Sequence, residues 1–236
     1  MNVVISQPMF FPWVGMFEQI RLADIYVHYV DVQFSKGSFV NRVQIKTKHG
    51  IKWLTVPLKG LRLGQNIEAV EINNSTDWRG DHFRSLVEAY DEAPFRDEML
   101  AVVKKVHDAK SKTIDELAIN SLDSVIEYFD MTENSRFIDS RELDVGGRGS
   151  RRVLEIVHAV DGNIYITGHG AKKYLDHELF ERNGIRVEYM DYQMTPYPQL
   201  YGEFTPYVSI LDLIANLGKA GKVYISSGAR YWRESI

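Results

Sequence analysis

The sequence predicts an α/β fold with a largely parallel central sheet, flanking helices and a helical insertion around residues 77–130. Three observations point there. The opening segment reads as strand, helix, strand over roughly thirty residues, the length at which a crossover joins two parallel strands. The last third alternates short strand-like runs with helix-spaced apolar residues, the pattern of an α/β chain. Between these parts the apolar spacing switches to the helical period and stays there.

In chain order, residues 3–5 form a β-branched run that stops at Gln7-Pro8, as a buried strand does when proline removes the next ladder donor. A turn runs to Gly15. Phe17, Ile20 and Leu22 then fall at helical spacing, and Ala23-Asp24 ends that helix before a strand over 25–30. This places the loop after the first strand at the carboxyl edge of the sheet, where such folds bind ligands, in a Rossmann-like nucleotide-binding layout. Extended runs at 41–46 and 53–57 are split by the turn Lys48-His49-Gly50. Asp77 is the N-cap of a helix with Phe83, Leu86, Val87 and Tyr90 on its apolar face. Helices cover 95–107 and 113–129, the second burying Ile114, Leu117, Ala118, Ser121, Leu122 and Val125. Residues 137–138 are a strand, 151–160 a helix, 164–166 a strand, 171–176 a helix and 187–190 a strand. A last helix over 209–217 starts at Ser209 and stops at Gly218. No repeat or low-complexity linker interrupts the chain, which reads as one domain over 1–236 with the insertion as an appendage.

Composition bounds the function. Hydrophobic residues at 44% and charged residues at 25% are those of a folded globular chain. Lys and Arg number 28 against 32 Asp and Glu, and no basic stripe stands out, so bulk nucleic-acid binding is not expected. There is no cysteine, which removes disulfides, zinc–thiolate sites and thiol nucleophiles. The N-terminus has no charged leader, and no run approaches the ~20 apolar residues of a membrane span. A cytoplasmic protein without a transmembrane segment is expected.

Five constellations carry candidate chemistry. The turn after the first strand, Ser6-Gln7-Pro8-Met9-Phe10-Phe11-Pro12-Trp13-Val14-Gly15, is a rigid cradle. Its prolines restrict the backbone, its glycine opens a helix start to an anion, and Ser6, Gln7, Pro8, Phe10, Trp13 and Gly15 are its substrate-binding candidates. The competing reading is a hydrophobic loop capping the sheet. The second follows the next strand: Asp31, Gln33, Lys36, Asn41 and Arg42 bring a carboxylate, two amides and two cations to the same edge, for a phosphorylated or acylated substrate or merely a solvated loop. The third is Gly168-His169-Gly170 with Tyr174. Glycines at a helix start present N–H groups, and an imidazole is a common proton-transfer group, although a lone histidine in a turn is more often structural. The fourth is a Pro-rich stretch in which Tyr192, Tyr197, Gln199 and Tyr201 either stack on a base or sugar and read its hydroxyls, or simply pack. A fifth stretch, Gly146-Gly147-Arg148-Gly149-Ser150-Arg151-Arg152, reads equally as a phosphate-binding loop or a plain surface loop. The histidines show no metal-ligand spacing, and no nucleophile elbow appears.

Five ordered blocks, QPMFFPWVGMFEQI, ADIYVHYVDVQFSKGSFVNRVQIK, WLTVPL, YITGHGAKKYLD and DYQMTPYPQLYGEFTPYVSILDLIANLG, resemble the WbqC-like family of bacterial surface-polysaccharide gene clusters over nearly the whole chain. The resemblance implies a role in O-antigen or surface-polysaccharide synthesis, with transfer of a glycyl or other aminoacyl group onto a sugar amine. Family members often carry histidine immediately before the Gln-Pro; Ser6 stands there in this chain and keeps only a hydrogen bond. The N-terminal stretch also resembles, more faintly, nucleotidylyltransferases with a His-x-Gly-His signature. Ala23-Asp24 fits that pattern and the histidines do not, so the likeness supports the nucleotide-binding layout more than adenylyl transfer.

Three functions follow. The first is an acyl- or aminoacyltransferase acting on the amine of a nucleotide-linked amino sugar. Its catalytic base is Asp31 or His169, backbone amides near Gly15 or Gly170 polarise the acyl carbonyl, and Lys36 and Arg42 hold phosphate. The second is an ATP-using, carboxylate-activating enzyme working at the N-terminal cradle. The third is a nucleotide-sugar binding protein without turnover. The sequence requires no cofactor or metal, and the donor is ATP or an acyl or aminoacyl compound.

Overall fold

The computed structural model describes residues 1–131 and 135–234. The N-terminal β-branched run becomes β1 (Asn2–Ser6), whose Val3, Val4 and Ile5 are buried. α1 (Val14–Leu22) leads to β2 (Ile25–His28), parallel to β1 with Val3 opposite Ile25 and Ser6 opposite His28. The extended runs that follow form a separate antiparallel hairpin, β3 (Arg42–Thr47) and β4 (Gly50–Thr55), rather than joining the central sheet. α2 (Trp78–Ala89), α3 (Arg96–Asp108) and α4 (Ile114–Tyr128) make the helical insertion. The Asp77 carboxylate accepts from the Gly80 N–H at 3.1 Å to start α2, and a Thr113–Glu116 capping box starts α4.

β5 (Arg136–Asp139), α5 (Gly149–Ala159), β6 (Ile164–Thr167), α6 (His177–Arg182), β7 (Arg186–Asp191), α7 (Ile210–Leu217) and β8 (Gly228–Tyr231) complete the chain. The sheet order is β5-β2-β1-β6-β7-β8. Taken in sequence this is 3-2-1-4-5-6, the doubly wound order. The first five strands are parallel and β8 runs antiparallel along β7.

Three sequence expectations change. The helix at 171–176 is a 3-10 turn over His169–Lys173, because Asp176 caps α6 by accepting from Leu179 N–H at 3.0 Å and so belongs to the next element. The buried face of α2 is Trp78, His82, Leu86 and Ala89, with Phe83 and Val87 half-buried. The edge strand β8 has no strand-like sequence: Gly-Ala-Arg-Tyr lacks β-branched residues and is recruited by pairing with β7.

Alternation along β1 feeds two cores. Val4 joins a large core with α1, the hairpin, α2–α4 and α7, while Val3 and Ile5 join a smaller one with α5 and α6. α7 ties the large core together. Its cap Ser209 donates N–H to Gln44 O at 2.8 Å, Ile210 N–H donates to Pro12 O at 2.8 Å, and Ala215 O accepts from Phe95 N–H at 2.9 Å.

Candidate functional site

Connections leave β1 and β6 in opposite directions along the sheet, so their carboxyl ends open a crevice at the topological switch point. A cavity of about 580 Å³ lies there, ample for a drug-sized ligand. Its floor is the strand ends Ile5, Ser6, Tyr165 and Thr167, and its walls include Gln7, Trp13, Gln19, Tyr29, Gly168, His169, Gly170, Tyr174, Tyr192 and Tyr207. Five tyrosines and an indole thus surround a few hydroxyl, amide and imidazole groups.

The β1 loop is held from behind. Phe11, at φ 40°, has its N–H accepted by Ser121 Oγ at 2.9 Å and its carbonyl bonded by Ser209 Oγ–H at 2.8 Å. Two helices therefore impose a left-handed backbone on a bulky residue. Trp13 then lies across the first turn of α1, 4.9 Å from the Tyr192 ring and 5.5 Å from Tyr207. A Cβ on Gly15 would sit 2.1 Å from that indole. Gly15 therefore makes room for Trp13, and the indole covers the helix start.

On the opposite lip, His169 Nε2 lies 2.6 Å from the Met190 carbonyl. A carbonyl only accepts, so Nε2 carries the proton and Nδ1 is left as the basic nitrogen. Gly168 permits close packing here, since a Cβ would stand 3.1 Å from Tyr192 Oη. Burial raises the phenols of Tyr29, Tyr165, Tyr174 and Tyr192, so all four are neutral donors at physiological pH.

The WbqC-like protein family model matches residues 7–224. This chain belongs to that family. A second member-like sequence, the uncharacterized protein Rv1507c of Mycobacterium tuberculosis, is 31% identical over 237 residues, covering 99% of both chains. No solved structure matches this WbqC-like chain.

The WbqC-like fold brings Ser6, Gln7, Trp13, Gly168, His169, Gly170 and Tyr174 to one cavity, and disperses the other candidates. Pro8 is buried behind the loop and Phe10 is a core residue against Phe11 and His82. Asp31 is bound by Arg152 and accepts from Ser140 Oγ–H at 2.6 Å. Arg152 also spans the Tyr29 ring at 5.0 Å, so Asp31 fixes the cavity wall instead of entering it. Gln33 bridges to Asn66, and Lys36 is exposed nearby. Asn41 Nδ2 donates to Val56 O at 3.0 Å inside the hairpin base. Arg42 bonds Gly37 O and stacks 4.1 Å from the Trp53 ring. Tyr197 is buried beside Asp212, whose carboxyl burial pushes up to about 6. Gln199 clamps Thr205 and Lys46, with its Oε1 accepting at 3.0 and 3.1 Å.

Cavity residues that the sequence did not mark include Met16, Gln19, Tyr29, Tyr165, Thr167, Met194 and Tyr207. Tyr29 and Thr167 sit at or just past strand carboxyl ends, and that position was a usable signal. Tyr207 carried none. Among the described residues, no cluster of His, Asp or Glu could hold a metal ion, and no helix is long and apolar enough to cross a membrane.

Proposed function

We propose that this WbqC-like protein binds a nucleotide-linked amino sugar in the switch-point cavity and transfers an acyl or aminoacyl group to the sugar amine. The observation that carries the reading is the aromatic, switch-point cavity with one basic imidazole nitrogen at its lip. Tyrosine and tryptophan faces suit a base or sugar ring, and Ser6, Gln7 and Thr167 suit its hydroxyls. In the transfer, the neutral amine nitrogen bonds to the acyl carbon and the donor's leaving group departs with its electron pair. His169 Nδ1 takes the amine proton and returns it to the leaving group. Polysaccharide assembly in the cytoplasm supplies such a substrate.

The test is calorimetry with nucleotide-linked amino sugars followed by a transfer assay across acyl and aminoacyl donors. Tyr174→Ala, on the 68% exposed rim, is expected to weaken binding roughly tenfold without unfolding the chain. His169→Gln is expected to bind normally and to transfer at least about a hundredfold more slowly. Absence of nucleotide-sugar binding by the wild-type protein overturns the reading. A second reading, binding without turnover, is favoured by the engagement of Asp31 with Arg152 and Ser140. Tight binding with no transfer from any donor selects it.

A further inference from the structure

Behind the wall formed by Trp13 and Met194 lies a second compartment. Both side chains line it and also line the switch-point cavity. Its volume is about 10 Å³, room for one water-sized group. Glu18 of α1 enters it, ringed by the aromatic side chains of Trp13, Tyr197, Phe204 and Tyr224.

Glu18 is only 2% exposed, and its Oε2 has no hydrogen-bond partner among the described residues. A buried carboxylate oxygen left unbonded is costly, so such groups call for an occupant. Its surroundings compensate the buried charge only in part. Arg21, one turn further on α1, donates from Nη2 to the Ser227 carbonyl at 3.1 Å and reaches Ser226 Oγ at 3.5 Å, and acts on Glu18 through its charge. The Ser227 hydroxyl lies beside the carboxyl and donates to Asp191 O at 2.6 Å. Tyr192, Tyr197 and Tyr224 are the phenols around it. A lone acceptor of negative charge, aromatic faces and space for one heavy atom match a primary ammonium group: it is water-sized, offers three donors, and is attracted by ring faces.

We propose that the Glu18 compartment receives the primary ammonium group of a substrate held in the switch-point cavity, reached between Trp13 and Met194. The inference rests on the cavity being the substrate site. It adds the recognition of a free amine and the rejection of an acylated one, because an N-acyl group exceeds a one-heavy-atom space. The ammonium can come from the amino sugar or from an aminoacyl donor, and the chemistry of capture is the same; a donor's ammonium stays in place during transfer, whereas a sugar amine must first leave the compartment and lose its proton. Burial holds the Glu18 carboxyl up to about 7, opposed in part by Ser227 and Arg21. Ammonium capture therefore strengthens as the pH rises toward and past neutrality and the carboxyl loses its proton.

Calorimetry on the full chain with UDP-glucosamine, UDP-N-acetylglucosamine and free glycine tests this. Wild-type protein is expected to prefer UDP-glucosamine or glycine over the acylated sugar by roughly tenfold or more, and Glu18→Gln to erase that preference while leaving the acylated sugar's affinity unchanged. Glutamine keeps the volume and removes the buried charge, and circular dichroism verifies its folding. In the wild-type protein, affinity for the preferred amine is expected to rise between pH 5.5 and 7.5 by up to about tenfold per unit, a readout independent of any variant. Loss of preference for UDP-glucosamine alone assigns the amine to the sugar; loss for glycine alone assigns it to the donor. Equal amine preference in wild type and Glu18→Gln, with both binding nucleotide sugar, overturns this inference and leaves the cavity reading intact. No nucleotide sugar bound by either removes the cavity reading itself.

Discussion

Gly15 is the residue at which sequence and structure speak most differently. Its place just inside a helix start suggested an open anion cradle, and in the fold it lies under the Trp13 indole, with no room for a Cβ. Gly15→Ala is therefore expected to push the indole off α1. Overpacking of this kind costs about 1–3 kcal/mol, and the displaced ring also leaves the cavity wall it shares with Tyr192 and Tyr207. A lowered melting temperature together with a shifted tryptophan emission is the expected result. An unchanged emission spectrum would show that the indole does not lie there. Ser6, Gln7 and His169 were legible as residues of the cavity edge because chemistry-bearing side chains beside a strand end are visible in a sequence. Asp31 was legible as a polar residue at the right edge, but its partner Arg152 lies 121 positions away, and nothing local announces that pairing.

At the scale of elements, periodicity located most helices and strands, and erred where long-range packing sets the rotation. The apolar pattern at α2 pointed to Phe83, Leu86, Val87 and Tyr90; Leu86 and Tyr90 are buried, whereas Phe83 and Val87 are only half-buried and the helix turns His82 inward, 5.1 Å from the Trp78 ring, with His107 of α3 5.5 Å from the same ring. Hydropathy ranks histidine as polar and so could not place either ring. Among the described residues His82 Nδ1 and His107 Nε2 have no hydrogen-bond partner, and burial is the leading cause that lowers both to about 4. A base whose folded value is depressed binds fewer protons than the unfolded chain, so its contribution is complete above about 6.5 and is lost as the pH falls toward 4. On the order of 2 kcal/mol per ring is gone by pH 5. His107→Phe keeps a ring against Trp78 and removes one titration. Urea melts at pH 7 and pH 5 should show its acid loss smaller than that of the wild type by about that amount. An identical loss in both would mean that His107 is not buried as a neutral ring.

For the molecule as a whole, strand alternation made the parallel sheet legible, but the attachment of the insertion was not, since it is written in contacts between distant segments. α7 supplies most of them: Tyr90 Oη–H, at the end of α2, donates to Asp212 Oδ2 at 3.0 Å, and the backbone of α7 bonds the β1 loop and the residue preceding α3. The large core runs without a break from Val4 and Ile166 of the sheet through Ile214 of α7 to Leu86, Val103 and Val125 of the insertion. A shared core of this kind unfolds as a unit. Far-UV dichroism, weighted by the helices, and the fluorescence of Trp13 and Trp78 should therefore follow one coincident urea transition. The same connection extends to ligand binding. A nucleotide sugar at a hundred times its Kd stabilises the native state by about 2.7 kcal/mol, and in a cooperative molecule that gain must appear equally in both signals, although the insertion is not part of the cavity lining. A dichroism transition that stays fixed while the Trp13 signal moves would separate the insertion from the sheet and its site.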